Sequence, residues 1–323
     1  MQVPVADVQW PERTRHGPRV AHLRDAGSLQ ALDARAWDQW AQAAGLRESL
    51  VVKAQQSWRS TLTAVLVLLA MGMAAYVWGV PWLGRSALAV VPTSVDRAIG
   101  EAAAQSLEST LLLPSKVLAQ RQQQVREAFA SAVARADPQH RLPGYELRFA
   151  TSASLSDKGA TPRTRLGPNA FALPGGIVYV TDDMLELLQG RDDVLIGVLA
   201  HELGHVKRRH GMRLVVQATV LGAVSSLVWG DFSTLLATVP VLLGQNAYSR
   251  DFEREADLDA IAMLRANRLS PAVMAELFER LAAKRAALAK TAKGGLFDGD
   301  LGIAFASHPD DAERIRRFRD AAP

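Results

Sequence analysis

The chain contains the stretch His201-Glu202-Leu203-Gly204-His205 next to a strongly apolar segment, residues 194–199. On an α-helix, residues four apart are offset by only about 40°, so both imidazoles can reach one metal ion. Glu202 is placed to accept a proton from a metal-bound water rather than to bind the metal itself. The apolar neighbours predict burial, where histidine and glutamate need partners. The stretch therefore predicts a buried helix that carries a catalytic metal site.

A catalytic zinc site of this kind needs a third protein ligand and one open position. The chain has no cysteine, so that ligand must be a histidine or a carboxylate. His210 is one candidate, but on a straight helix it would lie about 180° round from His201. We therefore expect His210 to be a helix C-terminal histidine or a contact behind a ligand, and not a ligand.

Two carboxylates further along the chain are the other candidates. Glu253 and Asp257 share one helix face, one turn apart. Glu253 would complete a His, His, Glu set, and Asp257 would hydrogen-bond the distal nitrogen of a bound imidazole. Glu255 lies about 200° round the helix from Glu253 and points elsewhere. By spacing alone, a solvated surface charge run explains this segment equally well.

A long uncharged segment near the N-terminus predicts a membrane span. Between Arg59 and Arg85 the chain has 25 consecutive uncharged residues. At about 1.5 Å per residue, this length exceeds the roughly 30 Å hydrocarbon core of a bilayer. Aromatic residues gather towards one end, as in an interfacial belt: Tyr76, Trp78 and Trp82. We expect a transmembrane helix over residues 59–85, with a buried core helix as the alternative.

A second apolar region covers residues 214–247 and carries a charge only at Asp231. Each half is at the lower limit of length for a membrane span. The region is therefore either a membrane hairpin or a pair of helices that cover the domain. If residues on both sides of it bind one metal ion, it must cross the membrane an even number of times.

Composition limits the classes of function. The chain has 323 residues, 49% of them hydrophobic, and a formal charge of +4. The positive charge is scattered and aromatic residues make up only 6%, so we expect no nucleic-acid partner. Helical periodicity dominates, with short strands between residues 145 and 181, which predicts a mainly helical α+β fold.

Four separated motifs follow one another over roughly residues 140–320. They are Asn169-Ala-Phe-Ala-Leu-Pro-Gly-Gly-Ile177, the His201 to His205 stretch followed by His210, Ser249-Arg250 with Glu253-Arg-Glu-Ala-Asp257, and Ser307-His308-Pro309 followed by Arg314-Ile315. In this order the motifs are specific, although the metal motif alone is common to many peptidases. The chain resembles the Ste-type, HtpX-like and CAAX-prenyl-protease-like zinc peptidases, which are family forty-eight of the metallopeptidases.

The resemblance implies a zincin-type metallopeptidase domain with a small β-hairpin or sheet. It implies one Zn²⁺ per chain, bound by three residues and supported by Asp257: His201, His205 and Glu253. It also implies that the strand after the Gly-Gly turn lies at the cleft edge and pairs with an extended substrate backbone. The residues expected to bind substrate there are Gly176, Ile177, Val178 and Tyr179.

The resemblance further places His308 and Arg314 at the cleft. As catalytic residues they would stabilise the oxyanion that forms when the peptide carbonyl is attacked. His308 could instead occupy the open metal position in a latent form of the protein.

The expected domain order follows from these segments. A small N-terminal domain of unassigned role covers residues 1–58, and the transmembrane helix covers residues 59–85. A helical linker or packing region covers residues 86–138, and the zinc metallopeptidase domain covers residues 139–323.

The expected function is that of a membrane-anchored zinc endopeptidase that hydrolyses unfolded or damaged proteins, with polypeptide substrates and membrane lipid as partners. The alternatives are a membrane-tethered chaperone-like or binding protein with a latent zinc site, and a signalling adaptor built on the N-terminal domain. Three basic residues before the span and two after it favour a bacterial inner membrane protein with a periplasmic peptidase domain. The opposite, cytoplasmic orientation stays open, and the sequence gives no oligomeric state.

Overall fold

The computed structural model describes residues 7–9, 18–24, 27–44, 58–152, 166–229, 249–291 and 312–322. The chain divides into two compact units, Met1–Gly79 and Val80–Pro323. The described residues are mainly helical with two small sheets, as the sequence predicts.

The first unit combines a small sheet with helices. Three short strands pair antiparallel in chain order, namely β1 (Val8–Gln9), β2 (Val20–Leu23) and β3 (Gly27–Gln30). Helix α1 (Ala34–Ala43) follows, and Asp33 caps it by accepting hydrogen bonds from the backbone N–H groups of its first turn. Arg19 beside β2 pairs with Asp38 of α1 at 2.9 Å, which ties the sheet to the helix.

One described helix is long and apolar enough to cross a membrane. It runs over Trp58–Leu88, 31 residues in all, and none of its most apolar 18-residue stretch is buried inside the protein. Its parts are α2 (Trp58–Ala74), a π-helical turn (Ala75–Gly79) and α3 (Val80–Leu88). Pro81 has no N–H to donate to the preceding turn of the helix, and the π-helical turn lies just before this residue. Its exposure favours a membrane span over a buried core helix.

The second unit contains a four-stranded sheet in the order β4-β5-β7-β6. Its strands are β4 (Leu112–Pro114), β5 (Glu146–Ser152), β6 (Ala170–Ala172) and β7 (Ile177–Thr181). Strands β5 and β7 are parallel, whereas β4 pairs antiparallel with β5 and β6 pairs antiparallel with β7. Strand β7 therefore lies inside the sheet, and β6 lies at one end of it.

Eight further helices of this unit are described. They are α4 (Thr93–Thr110), α5 (Ala119–Ala136), α6 (Asp182–Leu187), α7 (Asp192–Lys207), α8 (His210–Trp229), α9 (Arg250–Ala266), α10 (Val273–Thr291) and α11 (Ala312–Asp320). Helix α8 covers the first part of the apolar region 214–247 and packs against α3. The rest of that region lies outside the described residues, as does His308.

The two faces of the sheet pack against different helices. Alternate residues of β7 point to opposite sides, so Ile177 and Tyr179 contact α4 while Val178 and Val180 face the other helices. That second side forms the larger core, which includes Phe129 of α5 together with residues of α7, α9, α10 and α11. Helices α4 and α5 belong to the segment expected to be a linker or packing region, and both pack into the cores.

Close contact between α7 and α9 positions the metal-site residues. Gly204, between the two histidines of α7, lies so near α9 that an added Cβ would be 3.0 Å from the Cα of Ala256. Ala256 is fully buried, so both helices present small residues where they meet. Ser249 caps α9 by accepting a hydrogen bond from the N–H of Phe252, which fixes where the helix begins. The first turn of α9, with Glu253, is thereby held beside the histidines of α7.

Candidate metal centre

Two imidazoles and one carboxylate converge between α7 and α9. The Nε2 atoms of His201 and His205 lie 3.1 Å apart. Of the two carboxylate oxygens of Glu253, Oε2 lies 3.4 Å from His201 Nε2 and Oε1 lies 3.4 Å from His205 Nε2. All three residues are at most 3% exposed, and among the described residues they form a group that could hold a metal ion.

The donor set fits zinc. A tetrahedral zinc ion with bonds of 2.0–2.1 Å keeps its ligand atoms about 3.3–3.4 Å apart, close to the separations among His201, His205 and Glu253. Two imidazole nitrogens and one carboxylate oxygen are the three protein ligands of known catalytic zinc sites. The arrangement therefore suits a metal ion with one position left for water or substrate.

Asp257 and two arginines support the first imidazole and the carboxylate. Asp257 Oδ1 lies 3.0 Å from His201 Nδ1, on the side of the ring away from the cluster. Asp257 also accepts hydrogen bonds from Arg314 at 2.7 and 3.0 Å and from Arg317 at 2.7 Å. A further nitrogen of Arg314 lies 2.7 Å from Glu253 Oε2. These contacts fix the orientation of both the imidazole and the carboxylate.

The charges around His201 favour a cation at its ring nitrogens. Burial alone lowers the pKa of His201, but the charge of Glu253 and the contact with Asp257 outweigh it and raise the pKa to about 9. For Asp257, burial raises the pKa, yet the contacts with His201 and Arg314 hold it below its usual range. A proton or a metal ion is therefore stabilised at the nitrogens of His201, and the two compete for this site.

The second imidazole is supported through another histidine. Helix α7 ends at Lys207, Arg209 adopts a φ of 53°, and α8 begins at His210. Because the chain turns here, the straight-helix geometry that would place His210 about 180° round from His201 does not apply. The Nδ1 atoms of His205 and His210 lie 2.8 Å apart. His210 therefore contacts the back of a ligand, one of the roles that its position predicts.

Glu255 lies behind His210. Its Oε2 is 3.1 Å from His210 Nε2 and 3.3 Å from Arg213 Nη1. His210 is fully buried, and burial lowers its pKa to about 4 against the opposing effect of Glu255. The ring of His210 also stacks on Phe252 of α9, with 4.3 Å between centroids and 4° between planes.

Glu202 follows His201 on α7 and is 1% exposed. The helix thus carries the expected proton acceptor beside the first imidazole, inside the water-poor interior of the domain. Glu202 lies between the two histidines in the sequence, about 100° round the helix from His201.

The sequence prediction for the substrate strand is wrong. Strand β7 pairs on one side with β5, residue by residue from Ile177 to Thr181, and on the other side with β6. Its backbone groups are therefore already used within the sheet. The Gly-Gly turn is also packed, because an added Cβ on Gly176 would lie 2.2 Å from the carbonyl oxygen of Gly144. The strand residues Ile177, Val178 and Tyr179 therefore cannot take an extended substrate by backbone pairing, and Gly176 is packed against Gly144.

Arg314 contacts carboxylates of the site, and its predicted catalytic role stays a prediction. The nitrogens of its guanidinium contact Asp257 and Glu253, and the side chain is 4% exposed. These contacts orient both carboxylates, including the Glu253 oxygen that lies 3.4 Å from His201 Nε2, so we describe Arg314 as a positioning residue. The companion prediction for His308 falls outside the described residues.

Sequence reasoning did not single out Arg317, and it set Glu255 aside. Arg317 follows Arg314 by three residues on α11, and this helix spacing could have indicated two arginines on one face. Glu255 does point away from Glu253, as the helix geometry predicts. Its partner His210 was not recognised because the turn before α8 was not anticipated.

Comparison with known proteins identifies two matching segments. Residues 119–322 match the model described as Peptidase family M48. Residues 1–44 match a model described as Domain of unknown function (DUF7092). The M48 match contains every residue of the candidate metal centre.

Named relatives agree with the first match. The chain is 33% identical over 163 residues to Mitochondrial metalloendopeptidase OMA1 of Schizosaccharomyces pombe, which covers 48% of this chain and 44% of that protein. It is 33% identical over 181 residues to a Protease HtpX homolog of Salinibacter ruber, with 48% of this chain and 64% of the relative covered. It is 28% identical over 159 residues to Metalloprotease LoiP of Escherichia coli, with 47% and 58% covered.

The chain thus spans about half to two thirds of the length of these relatives. The resemblance inferred from the four sequence motifs is confirmed. Since the family model covers more than half of the chain, the chain belongs to peptidase family M48.

Proposed function

We propose that this protein is a membrane-anchored, zinc-dependent endopeptidase that hydrolyses peptide bonds of unfolded or damaged proteins. The observation that carries the proposal is the convergence of His201, His205 and Glu253 at 3.1 to 3.4 Å, with Glu202 on the same helix. A purely structural metal site has no need of a carboxylate beside its ligands.

In this proposal the three residues His201, His205 and Glu253 hold the zinc ion. When bound, zinc supplies a Lewis acid and lowers the pKa of water towards 7. The carboxylate of Glu202 takes the proton of the attacking water and passes it to the nitrogen of the leaving amine. Asp257 and Arg314 keep His201 and Glu253 in the orientation that this requires.

We propose β6, not β7, as the strand beside which an extended substrate lies. Strand β6 is at the end of the sheet order, and α7 packs on it. Asn169 and Leu173 bond to β7 through their backbones. In an antiparallel pair, successive residues of a strand direct their backbone N–H and C=O groups alternately towards and away from the partner, so those of Ala170 point away from β7. Pairing through main-chain groups suits an enzyme that accepts many sequences.

Cleavage of unfolded casein by the purified, detergent-solubilised full chain tests the catalytic proposal. We expect zinc-dependent cleavage that is lost after chelation and in Glu202→Gln, which removes the proton acceptor but leaves the ligands. Glu186→Gln is the matched control, because Glu186 is exposed on α6 and should leave the rate unchanged. Zinc bound one to one without cleavage by the wild type would overturn the catalytic proposal and favour the binding protein with a latent site.

We further propose that the peptidase domain lies on the periplasmic side of a bacterial inner membrane. The basic residues flanking Trp58–Leu88 support this orientation, and the exposure of that helix supports a membrane span. The chain lacks cysteine, so single substitutions can be labelled without background. In intact cells, a membrane-impermeant maleimide should label Gln124→Cys in the second unit and not Ser28→Cys in the first. The reverse pattern would place the peptidase domain in the cytoplasm.

A further inference from the structure

We infer that His210 and Glu255 form a relay that positions the metal ligand His205 and fixes its tautomer. The inference rests on the proposed function, because it assumes that His205 binds zinc through Nε2. It concerns two residues that do not touch the metal themselves.

Three residues in series make the relay. The Nδ1 atoms of His205 and His210 are 2.8 Å apart, and His210 Nε2 is 3.1 Å from Glu255 Oε2. His205 and His210 are at most 1% exposed, so water has little access to these contacts. A neutral imidazole in such surroundings needs a partner for each nitrogen.

Hydrogen-bond chemistry allows one assignment of the protons. When His205 binds a metal through Nε2, its ring proton is on Nδ1. His210 Nδ1 must then accept that proton's hydrogen bond, so the proton of His210 is on Nε2. An ionised carboxylate only accepts, and Glu255 is placed to accept from that N–H. Every donor in the series thus has one acceptor.

His201, the other histidine of the metal site, is supported by a carboxylate in a similar way. His201 Nδ1 faces the carboxylate of Asp257 at 3.0 Å, and Asp257 is bound by arginines. On the His205 side, a carboxylate that is likewise bound by an arginine acts through an additional imidazole. In metal sites such partners raise the basicity of the ligand and hold its ring in place.

Packing makes the relay rigid. The ring of His210 stacks on Phe252, and the guanidinium of Arg213 lies 5.5 Å from the centroid of the same phenyl ring. Phe252 and Glu255 both belong to the first turns of α9, which also provides Glu253. The helix that supplies the third ligand therefore also orients the second.

The test measures how fast zinc leaves the detergent-solubilised full chain in the presence of a chromophoric chelator. In His210→Phe, the ring can still stack but Nδ1 of His205 loses its acceptor. We expect zinc release about 10 to 100 times faster, the usual effect of losing such a partner. His210→Gln retains an acceptor and a donor, so it should restore release to within about threefold of wild type. His140→Asn, on an exposed turn, controls for loss of an imidazole elsewhere.

Glu255→Met is the second variant, for the case in which His210→Phe does not fold. The Glu255 side chain is 32% exposed, so its replacement should be tolerated by the fold, yet zinc release should accelerate. The relay is refuted if Glu255→Met releases zinc like wild type, or if His210→Phe and His210→Gln release it equally fast. A wild type that binds no zinc would instead overturn the proposed function, so the two failures are distinguishable.

Discussion

Replacement of Arg314 by methionine tests whether this residue acts on the carboxylates or on the substrate. The arginine is 4% exposed and contacts Asp257 and Glu253 at 2.7 to 3.0 Å. Removing one partner of a buried ion pair costs about 3–5 kcal/mol. Arg317 stays bound to Asp257, so we expect the lower end, about 3 kcal/mol. In a domain of this size each kcal/mol lowers Tm by about 2–4 °C, which predicts a decrease of about 6–12 °C.

The assay is thermal unfolding of chelator-treated full chain followed by circular dichroism. Arg316→Met is the matched control, because Arg316 is exposed on the same helix and its loss should cost less than about 0.5 kcal/mol. Zinc should reduce the difference between Arg314→Met and wild type, since its charge partly compensates the two carboxylates. If Arg314→Met and Arg316→Met melt together while only Arg314→Met loses cleavage, Arg314 acts on the substrate and our assignment is refuted.

Three further predictions concern packing, pH and the substrate strand. Gly100→Ala should destabilise the protein by about 1–3 kcal/mol, because the added Cβ would lie 1.9 Å from the carbonyl oxygen of Pro174. Gly144→Ala is the control and should leave stability unchanged, because an added Cβ there would have nothing within 4 Å. Equal Tm values for the two variants would contradict this packing. The pKa of His201 is raised to about 9, above the ordinary 6.5, so its protonation contributes stability that is fully present below pH 6.5 and is lost as the pH rises through 9. Chelator-treated protein should therefore lose unfolding free energy over this pH range. Zinc-loaded protein should not, because its His201 carries no such proton. If urea unfolding gives the same dependence of stability on pH for both forms, the raised pKa of His201 is refuted. Ala170→Pro removes an N–H directed away from β7, so it should lower casein cleavage when variants are compared at equal zinc content. Unchanged cleavage would exclude β6 as the substrate strand.

The helix of the metal site could be predicted because the information is local. The spacing of His201 and His205 places both on one face whenever the segment is helical. The apolar residues before them require burial of this helix, and the structure has both. The long apolar helix is similarly encoded, since length and lack of charge are properties of the segment itself.

The position of Glu253 beside the two histidines depends on tertiary packing. Glu253 follows His205 by 48 residues, and spacing alone leaves its segment equally suited to the surface. The close approach of α7 and α9 at Gly204 and Ala256 brings it to the histidines. Only the motif order pointed to it in advance, and no local property of residues 250–257 did.

The sequence by itself determined a buried helix with two histidines and a glutamate, a helix long enough for a membrane, and membership of a peptidase family. Tertiary structure decided that β7 is internal, that Arg314 binds carboxylates, and that His210 joins His205 to Glu255. Periodicity fixes which side chains share a face of one helix or strand. It does not fix which strand pairs with which, where a chain turns between helices, or which distant side chain fills a site, because these depend on contacts between segments far apart in the chain.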